Sequence, residues 1–397
     1  MTKAVVQRIS IFPLAIPMRR QVSHATSKRC VADPVVVGVE LTDGTVGYGE
    51  TLPRPYVTQE SVDSVVRAIQ EVFLPALLEF HPRSFPEALE AIEALPWREE
   101  SSGRLIPAAR AAVELGLLDC ALRAYNRDME DVVGWMGIPG FGSPGSLKRI
   151  RFGGVLAAQG PDQTVRQVRL MYWGGLRDFK LKAGVPDDHV RLRRVATYLR
   201  RPVEKRKVTL RVDANGAWTK DEAIEWLTDT SDVPFTLLEQ PLPRGSEDQT
   251  PVLRDLFDRP LMHDESLVTT ADAHRLIDLG VADAFNIRIS KCGGLLPALR
   301  LAALARRSDV RILLGCMVGE TSILSAAGVR FLQVCPGVEW AEGCFGSFLL
   351  QNDVVVKSLR FGYGGRPPRL RGMGLGVTVD PMRLRRLCVR APVVINL

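Results

Sequence analysis

The chain has 397 residues, 46 % of them apolar, and a formal net charge of +7. This length exceeds that of one ordinary domain and predicts two domains, or one large barrel with an additional unit. No apolar run approaches the eighteen residues of a membrane-spanning helix, and the first thirty residues show no signal-peptide pattern, so we expect a soluble, cytoplasmic protein without a membrane partner. None of the seven cysteines forms a Cys-x-x-Cys pair, which argues against a zinc site or a disulfide framework.

The positive charge is concentrated in two segments, 191–207 and 366–390. A nucleic-acid surface would need aromatic residues among these cations, but the first segment contains only Tyr198. We therefore interpret the segments as a solvated helix face and a basic tail, and we expect no nucleic-acid partner. The positive field suits an anionic small-molecule substrate.

The N-terminal part of the chain predicts a small α+β unit. Asp43-Gly44 is typical of a two-residue hairpin turn, and a mainly helical stretch begins near Gln59. Apolar residues from Ala109 to Ala121 recur at helical spacing. Seven of the twelve residues from 134 to 145 are Gly or Pro, which predicts a domain boundary. The predicted strands of this unit are Val5–Ile11, Val35–Leu41 and Val46–Gly49.

From Ile150 onward, short apolar strands alternate with helical stretches. Eight such units predict the α/β class and a parallel (β/α)8 barrel closed on itself. A doubly wound open sheet is the alternative, but no glycine-rich fingerprint follows the first strand. The predicted barrel strands are Arg151–Leu156, Phe179–Lys182, Thr209–Asp213, Phe235–Glu239, Leu261–Asp264, Ala284–Ile289, Arg311–Gly315 and Val338–Ala341.

Ionisable residues stand at or just after the ends of five successive predicted strands. Lys182 (with Lys180), Asp213, Glu239, Asp264 and Lys291 follow one another at separations of 31, 26, 25 and 27 residues. Each separation is about one βα unit, so all five are expected at the same rim of the barrel, where active sites of this fold lie. Taken singly, such a lysine is typical of a solvated strand end and such an acid of a helix cap. The ordered set favours a functional site.

The chemistry of this set indicates a metal-assisted proton transfer. Three carboxylates at one rim repel each other without a cation, and oxygen ligands select a hard ion, Mg²⁺ first and Mn²⁺ next. Lys180 and Lys182 lie two residues apart on a strand, so they point to the same side, and we expect each to lower the other's pKa. A neutral lysine amine is a general base. Lys291 is expected across the barrel mouth from this pair.

These residues resemble the enolase superfamily and, within it, the muconate lactonizing enzyme subgroup (mandelate racemase/muconate lactonizing enzyme-like proteins). The resemblance covers nearly the whole chain: the segments 47–50, 109–119 and 374–377 add to the strand ends. It implies an α+β N-terminal capping domain at residues 1–148, a modified (β/α)8 TIM-type barrel at 149–350, and a C-terminal segment at 351–397 that returns to the cap. Assembly of several copies is also implied.

The resemblance further implies a role for each site residue. Asp213, Glu239 and Asp264 would bind Mg²⁺. Lys182 and Lys291 would be the acid/base pair. Lys180 would lower the pKa of Lys182, and Asn215 would be an accessory polar group.

Other side chains are expected to hold the substrate or assist the site. Acids follow the fifth, seventh and eighth strands, and two cap loops, 19–29 and 53–56, are expected to cover the mouth. Dipeptide epimerases that resemble this chain have an Asp-x-Asp after the eighth strand, where this chain has Glu342 alone. These candidates are Glu265, Glu320, Glu342, His24 and Arg54.

We expect a racemase or epimerase that acts on an amino-acid or related acid derivative, through lysine abstraction of the α-proton and a metal-stabilised enediolate. A muconate-type cycloisomerase or an o-succinylbenzoate-type dehydratase is the alternative, and a non-catalytic anion-binding barrel is the alternative of a different class. A mandelate-racemase-type site needs a histidine on the seventh strand, but the last histidine is His274, before the sixth.

Overall fold

The computed structural model describes residues 4–24, 27–157, 160–370 and 372–397; the side chains of residues 22–28, including the predicted substrate contact His24, lie outside the description. Two sheets and a separate strand pair organise the chain. The strands are β1 Val6–Pro13, β2 Ile16–His24, β3 Ser27–Ala32, β4 Val35–Leu41, β5 Val46–Thr51, β6 Gly154–Leu156, β7 Asp178–Lys182, β8 Thr209–Asp213, β9 Leu237–Glu239, β10 Leu261–His263, β11 Ala284–Ile287, β12 Arg311–Leu314, β13 Val338–Ala341 and β14 Val393–Asn396.

The helices fill the cap and follow the barrel strands, and a π-helical turn at Ile69–Phe73 and two 3₁₀ turns complete them. The helices are α1 Pro55–Thr58, α2 Val62–Ala68, α3 Leu74–Leu78, α4 Phe85–Glu93, α5 Pro107–Ala124, α6 Met129–Met136, α7 Pro161–Trp173, α8 Asp188–Glu204, α9 Lys220–Asp229, α10 Thr250–Leu256, α11 Thr270–Asp278, α12 Leu295–Arg307, α13 Ser322–Val334, α14 Gly346–Leu349 and α15 Pro381–Arg386. No helix in the described part of the chain has the length and apolar character needed to cross a membrane.

The barrel is built from the eight parallel strands β6 to β13, each paired with the next in chain order. A parallel bridge between Phe152 and Ala341, with the Gly153 N–H donating to the Ala341 carbonyl at 2.8 Å, joins the last strand to the start of the first. The predicted (β/α)8 barrel is therefore confirmed. Since the strands are parallel, the residues that end them share one rim.

The cap is the antiparallel sheet β14-β1-β4-β5 with helices α1 to α6. Helix α5 packs on β4 and β5 and is buried along almost its whole length. Gly47 and Gly49 permit this contact, because a Cβ at either position would collide with a backbone carbonyl of α5. The sequence did not predict the last strand, β14, which pairs with β1 and brings the C-terminus back to the cap sheet. The exact domain limits at residues 148 and 350 stay a prediction.

The segment 19–29 differs from the loop that the sequence predicted. Residues 19–24 and 27–29 belong to the antiparallel pair β2–β3, in which Ile16 lies opposite Ala32. The basic residues of this segment had obscured its strand character.

Two buried glutamates connect the cap to the barrel. Glu50, in β5, accepts the backbone N–H groups of Thr321 at 2.7 Å and Leu324 at 2.9 Å. Glu114, on α5, accepts the N–H of Leu296 at 2.7 Å. These donors belong to the first turns of α13 and α12, where backbone N–H groups have no partner within the helix. The cap therefore supplies the N-terminal caps of two barrel helices.

Candidate active site

The predicted lysine pair lies at the end of β7 and points to one side. Both ammonium groups contact Asp213 Oδ2, Lys182 at 2.6 Å and Lys180 at 3.3 Å. Lys182 also donates to Asn215 Oδ1 at 2.9 Å. The side chain of Lys182 is 13 % exposed and that of Lys180 only 2 %. Of this pair, Lys182 is therefore the amine that a substrate can reach.

Lys180 is held by carboxylates, contrary to the expected mutual lowering of pKa within the pair. Its Nζ lies 2.8 Å from Glu342 and 3.3 Å from both Asp213 and Glu239. Burial by itself would lower the pKa of Lys180, but the three carboxylate charges outweigh burial and raise the pKa above its ordinary value. Lys180 is thus a permanent ammonium.

Glu239 is the central acid of the three predicted ligands. It ends β9 and is completely buried, and its Oε1 accepts a hydrogen bond from Asn286 Nδ2 at 2.7 Å. Burial, and then the charge of Asp213, raise the pKa of Glu239 to about 7. Glu239 Oε2 has no hydrogen-bond partner; the nearest cation in an ion pair is Arg211, at 3.6 Å. A buried carboxylate oxygen without a partner is a position where a further cation would be stabilising.

Asp264 follows β10 and is held by two cations that the sequence had not distinguished. Lys291 donates to Asp264 Oδ1 at 2.8 Å, to the Asp264 carbonyl at 2.5 Å and to the Asn286 carbonyl at 2.9 Å. Lys291 is fully buried in these contacts. Arg288 binds the other oxygen of Asp264 and lines a small cavity, about 10 Å³, together with Met317.

Arg288 therefore takes the position in the barrel mouth that the sequence had assigned to Lys291. Alternation along β11 offered the missed signal, because Ala284, Asn286 and Arg288 are two residues apart and share the inner face of the barrel. Arg211, two residues before Asp213 on β8, is a second inner-face cation missed for the same reason. Both stand among the predicted ligands.

The accessory residues Asn215 and Glu265 form one small group at the site. Asn215 Nδ2 donates to Glu265 Oε1 at 3.2 Å, while Glu265 Oε2 is buried without a hydrogen-bond partner. Burial, and then the charge of Asp264, raise the pKa of Glu265 to about 7. The structure thus places Asn215 and Glu265 beside Lys182 and Asp264, and their accessory role stays a prediction.

Glu320 and Glu342 are both buried in the barrel mouth, but neither presents a free carboxylate. Glu320 accepts hydrogen bonds from Ser325 Oγ at 2.9 Å and the Met317 N–H at 3.2 Å, and burial raises its pKa to about 8. Glu342 is bound by Lys180 at 2.8 Å and by Arg211 at 2.9 Å. Glu342 is therefore a partner of Lys180 and Arg211, and its expected role in holding the substrate stays a prediction.

Arg54 is buried in the cap loop and makes a structural contact. It donates to Asp33 Oδ1 at 2.8 Å, to the Pro53 carbonyl at 2.7 Å and to the Val318 carbonyl at 3.2 Å. The last contact joins the cap to the loop after β12. Arg54 thus fixes the cap over the mouth, and its guanidinium is occupied by protein acceptors.

A family model described as Enolase C-terminal domain-like matches residues 163–383, more than half of the chain. The chain belongs to the enolase superfamily. A relative in sequence, the N-succinyl-L-Arg/Lys racemase of Bacillus cereus, is 26 % identical over 81 % of this chain and 82 % of that protein. The solved 2-chloromuconate cycloisomerase of Rhodococcus opacus has a TM-score of 0.84 and 28 % identity over 97 % of this chain and 100 % of that one.

A dipeptide epimerase of Cytophaga hutchinsonii, solved with Mg and D-Ala-L-Val, shares the fold at a TM-score of 0.79 and 20 % identity, and covers 99 % of this chain and 100 % of that one. The resemblance to muconate lactonizing enzymes is confirmed by these relatives, which are racemases, epimerases and cycloisomerases. The chain is therefore an enzyme of the isomerase class.

The donor set of this enolase-superfamily member suits a hard divalent ion in its chemistry. Among the residues that the structure describes, no three Asp, Glu, His or Cys side chains are arranged to hold a metal ion as they stand. The carboxylates of Asp213 and Asp264 instead bind lysine and arginine, while Glu239 Oε2 has no hydrogen-bond partner. An ion would have to replace Lys182 and Arg288 on those oxygens.

Proposed function

We propose that this chain is a divalent-metal-dependent isomerase that removes the α-proton of a small carboxylate substrate with Lys182 as the base. The proposal rests on one observation: Lys182 is the partly exposed amine at the rim, 2.6 Å from Asp213 and 2.9 Å from Asn215. Asp213, Glu239 and Asp264 would hold Mg²⁺ or Mn²⁺, and the bound ion would stabilise the negative charge that develops on the substrate carboxylate.

The chain's own residues contribute fixed charge and orientation. Lys180, kept protonated by its carboxylates, provides a positive charge beside Lys182. Release of Lys182 from Asp213 would leave its amine oriented by Asn215 alone. Positive charge fixed in place before the reaction stabilises a developing anion without reorganisation during the step.

The opposite side of the site favours a reaction with a single base. Arg288 stands there, and an arginine side chain stays protonated in proteins, so it cannot accept the α-proton. Lys291 is buried behind it with three oxygen acceptors. Racemisation by two bases needs a working amine on each side of the α-carbon. The geometry therefore supports the cycloisomerase or dehydratase alternative over the racemase that the sequence alone favoured.

Racemisation remains the second candidate because the N-succinyl-L-Arg/Lys racemase is among the relatives. It would require Lys291 to leave its buried contacts and reach the substrate. The two candidates differ in the predicted effect of removing Lys291, which is essential to the racemase and structural in the single-base reaction.

Isotope exchange in deuterated water tests both candidates. The folded protein with Mg²⁺ would be incubated with N-succinyl-L-amino acids, and separately with cis,cis-muconate. NMR would follow deuterium at the α-carbon and ring closure, and polarimetry would follow inversion. The single-base proposal predicts exchange without inversion, or ring closure. Lys182→Ala should abolish that activity and Lys291→Met should retain it per folded molecule.

Lys205→Ala, at an exposed position on the basic side of the barrel, is the matched control and should be unchanged. Inversion by the wild-type protein that Lys291→Met abolishes would establish the racemase instead. Activity that survives in Lys182→Ala would refute both candidates.

A further inference from the structure

A second cavity lies away from the strand ends that form the candidate active site. Its volume is about 320 Å³, and three separate chain segments enclose it: residues 143–148, the C-terminal half of α13, and residues 369–370 of the tail. Helix α13 starts at the rim beyond β12 and runs back toward the opposite end of the barrel, as helices of this fold do. The cavity therefore lies near that opposite end.

Three cations line this cavity, and no carboxylate does: Lys148, Arg330 and Arg369. In the described ranges of the chain, none of the three has an ion-pair partner, and the side chains of Lys148 and Arg369 have no hydrogen bond either. Arg330 donates to Gln333 Oε1 and to the Gly372 carbonyl, each at 3.0 Å, but its Nε is buried without a partner. The cavity thus collects positive charge that no described carboxylate balances.

The nearest acids do not neutralise this charge. Burial lowers the pKa of Arg330, and the charges of Asp119 and Asp128 act against that shift. Asp119 is already bound by Arg123 at 3.0 Å, and Asp128 caps helix α6. A guanidinium that is partly removed from water and not paired is destabilising unless an anion joins it.

We propose that this cavity binds a small doubly charged oxyanion of the phosphate type. The guanidinium groups of Arg330 and Arg369 line the cavity and offer the planar donor geometry that suits phosphate oxygens, and Lys148 adds a mobile ammonium. The lining also contains two neutral donors, the hydroxyl of Ser143 and the Nε2 amide of Gln333. An anion there would join the linker, α13 and the tail. The proposal is independent of the chemistry at the strand ends.

Calorimetric titration of the full chain with inorganic phosphate tests the site. The ionic strength is held constant, and a titration with sodium chloride is the reference. The proposal predicts saturable phosphate binding that Arg330→Gln weakens roughly tenfold or more, since a hydrogen bond to a charged group is lost. Arg201→Gln removes the same charge from an exposed position on α8 and should leave the affinity unchanged.

Lys148→Gln provides a second variant in case the loss of the Arg330 contact to the tail prevents folding. It too should weaken phosphate binding, because the Lys148 side chain has no described partner whose loss would disturb the fold. The active-site cations also attract phosphate, so binding that is equally strong in wild type and in both folded cavity variants would overturn the proposal. Absence of saturable binding in the wild type would overturn it as well.

Discussion

The buried carboxyl of Glu114 should make the stability of the protein depend on pH, and the effect can be calculated from its surroundings. Glu114 is fully buried between α5 and the start of α12, and burial raises its pKa from an ordinary 4.5 to about 7, against the hydrogen bond from Leu296. A favourable interaction with a helix N-terminus is worth about 0.3–1 kcal/mol, at most ~2 kcal/mol. The burial term is larger: ionisation costs the folded state roughly 3 kcal/mol relative to the unfolded chain.

The direction of the effect follows from the raised pKa. Below pH 4.5 the carboxyl is protonated in both states and the folded protein carries no penalty. As the pH rises to about 7, the unfolded chain ionises first, so the free energy of unfolding falls. Glu114→Gln is neutral in both states and removes this term. It should therefore gain roughly 2.5 kcal/mol relative to wild type between pH 5 and pH 8, whatever constant cost the new amide adds.

Urea unfolding of wild type and Glu114→Gln at pH 5, 6, 7 and 8 measures the difference. Glu90→Gln, on the exposed side of α4, is the control and should follow the wild-type curve. A difference between Glu114→Gln and wild type that stays constant with pH would refute the reasoning. It would mean that Glu114 is ionised in the folded protein throughout and that the α12 N-terminus outweighs burial.

Three further outcomes are expected. Lys291→Met should lower the free energy of unfolding by roughly 3–5 kcal/mol in chemical denaturation, because it leaves Asp264 with one of its two buried cations; an unchanged stability would contradict a structural role. Gly294→Ala should destabilise by at least about 2 kcal/mol, since the residue has φ +125° and its new methyl group would meet Glu114, whereas Gly134→Ala in α6 has open space and should be neutral or stabilising in the same assay. Removal of divalent ions with a chelator should abolish the exchange reaction, and added Mg²⁺ should restore it and raise the melting temperature; activity that persists in chelator would contradict the metal assignment.

The sequence was sufficient to predict the barrel, because each strand is a short apolar run and each helix follows at a regular distance. Strand β8 was predicted to the residue, and β4 likewise. Strands β2 and β3 were not predicted, because their cationic residues are typical of a loop and the strands are stabilised by pairing with each other. Strand β14 was not predicted from the sequence, because its pairing partner β1 lies at the other end of the chain and no local pattern indicates that contact.

At the site, the sequence proposed a set of residues but not the charges that pair with them. The structure places Lys182 on Asp213, and Lys180 on both Asp213 and Glu239. The assignment of Glu342 as a substrate contact failed to anticipate Arg211, which arises from the inner face of a different strand. Ion pairs inside a barrel form between inner-face residues of different strands, and the spacing of residues along the chain does not indicate which of them will meet.

The difference between Arg288 and Lys291 governs the chemistry that remains possible. Both bind Asp264. Arg288, two positions beyond Asn286, shares the inner face of the barrel with it, whereas Lys291 lies in the turn that follows the strand. An inner-face lysine would give the site an amine on each side of a bound substrate. An inner-face arginine gives it a cation that binds oxygen and keeps its proton. If that is the governing feature, Arg288→Lys should introduce α-carbon inversion where the wild type exchanges without it, and chiral chromatography of the exchanged product would detect the new stereoisomer. A folded Arg288→Lys variant that exchanges with unchanged stereochemistry would show that the opposite face plays no part in the proton transfer.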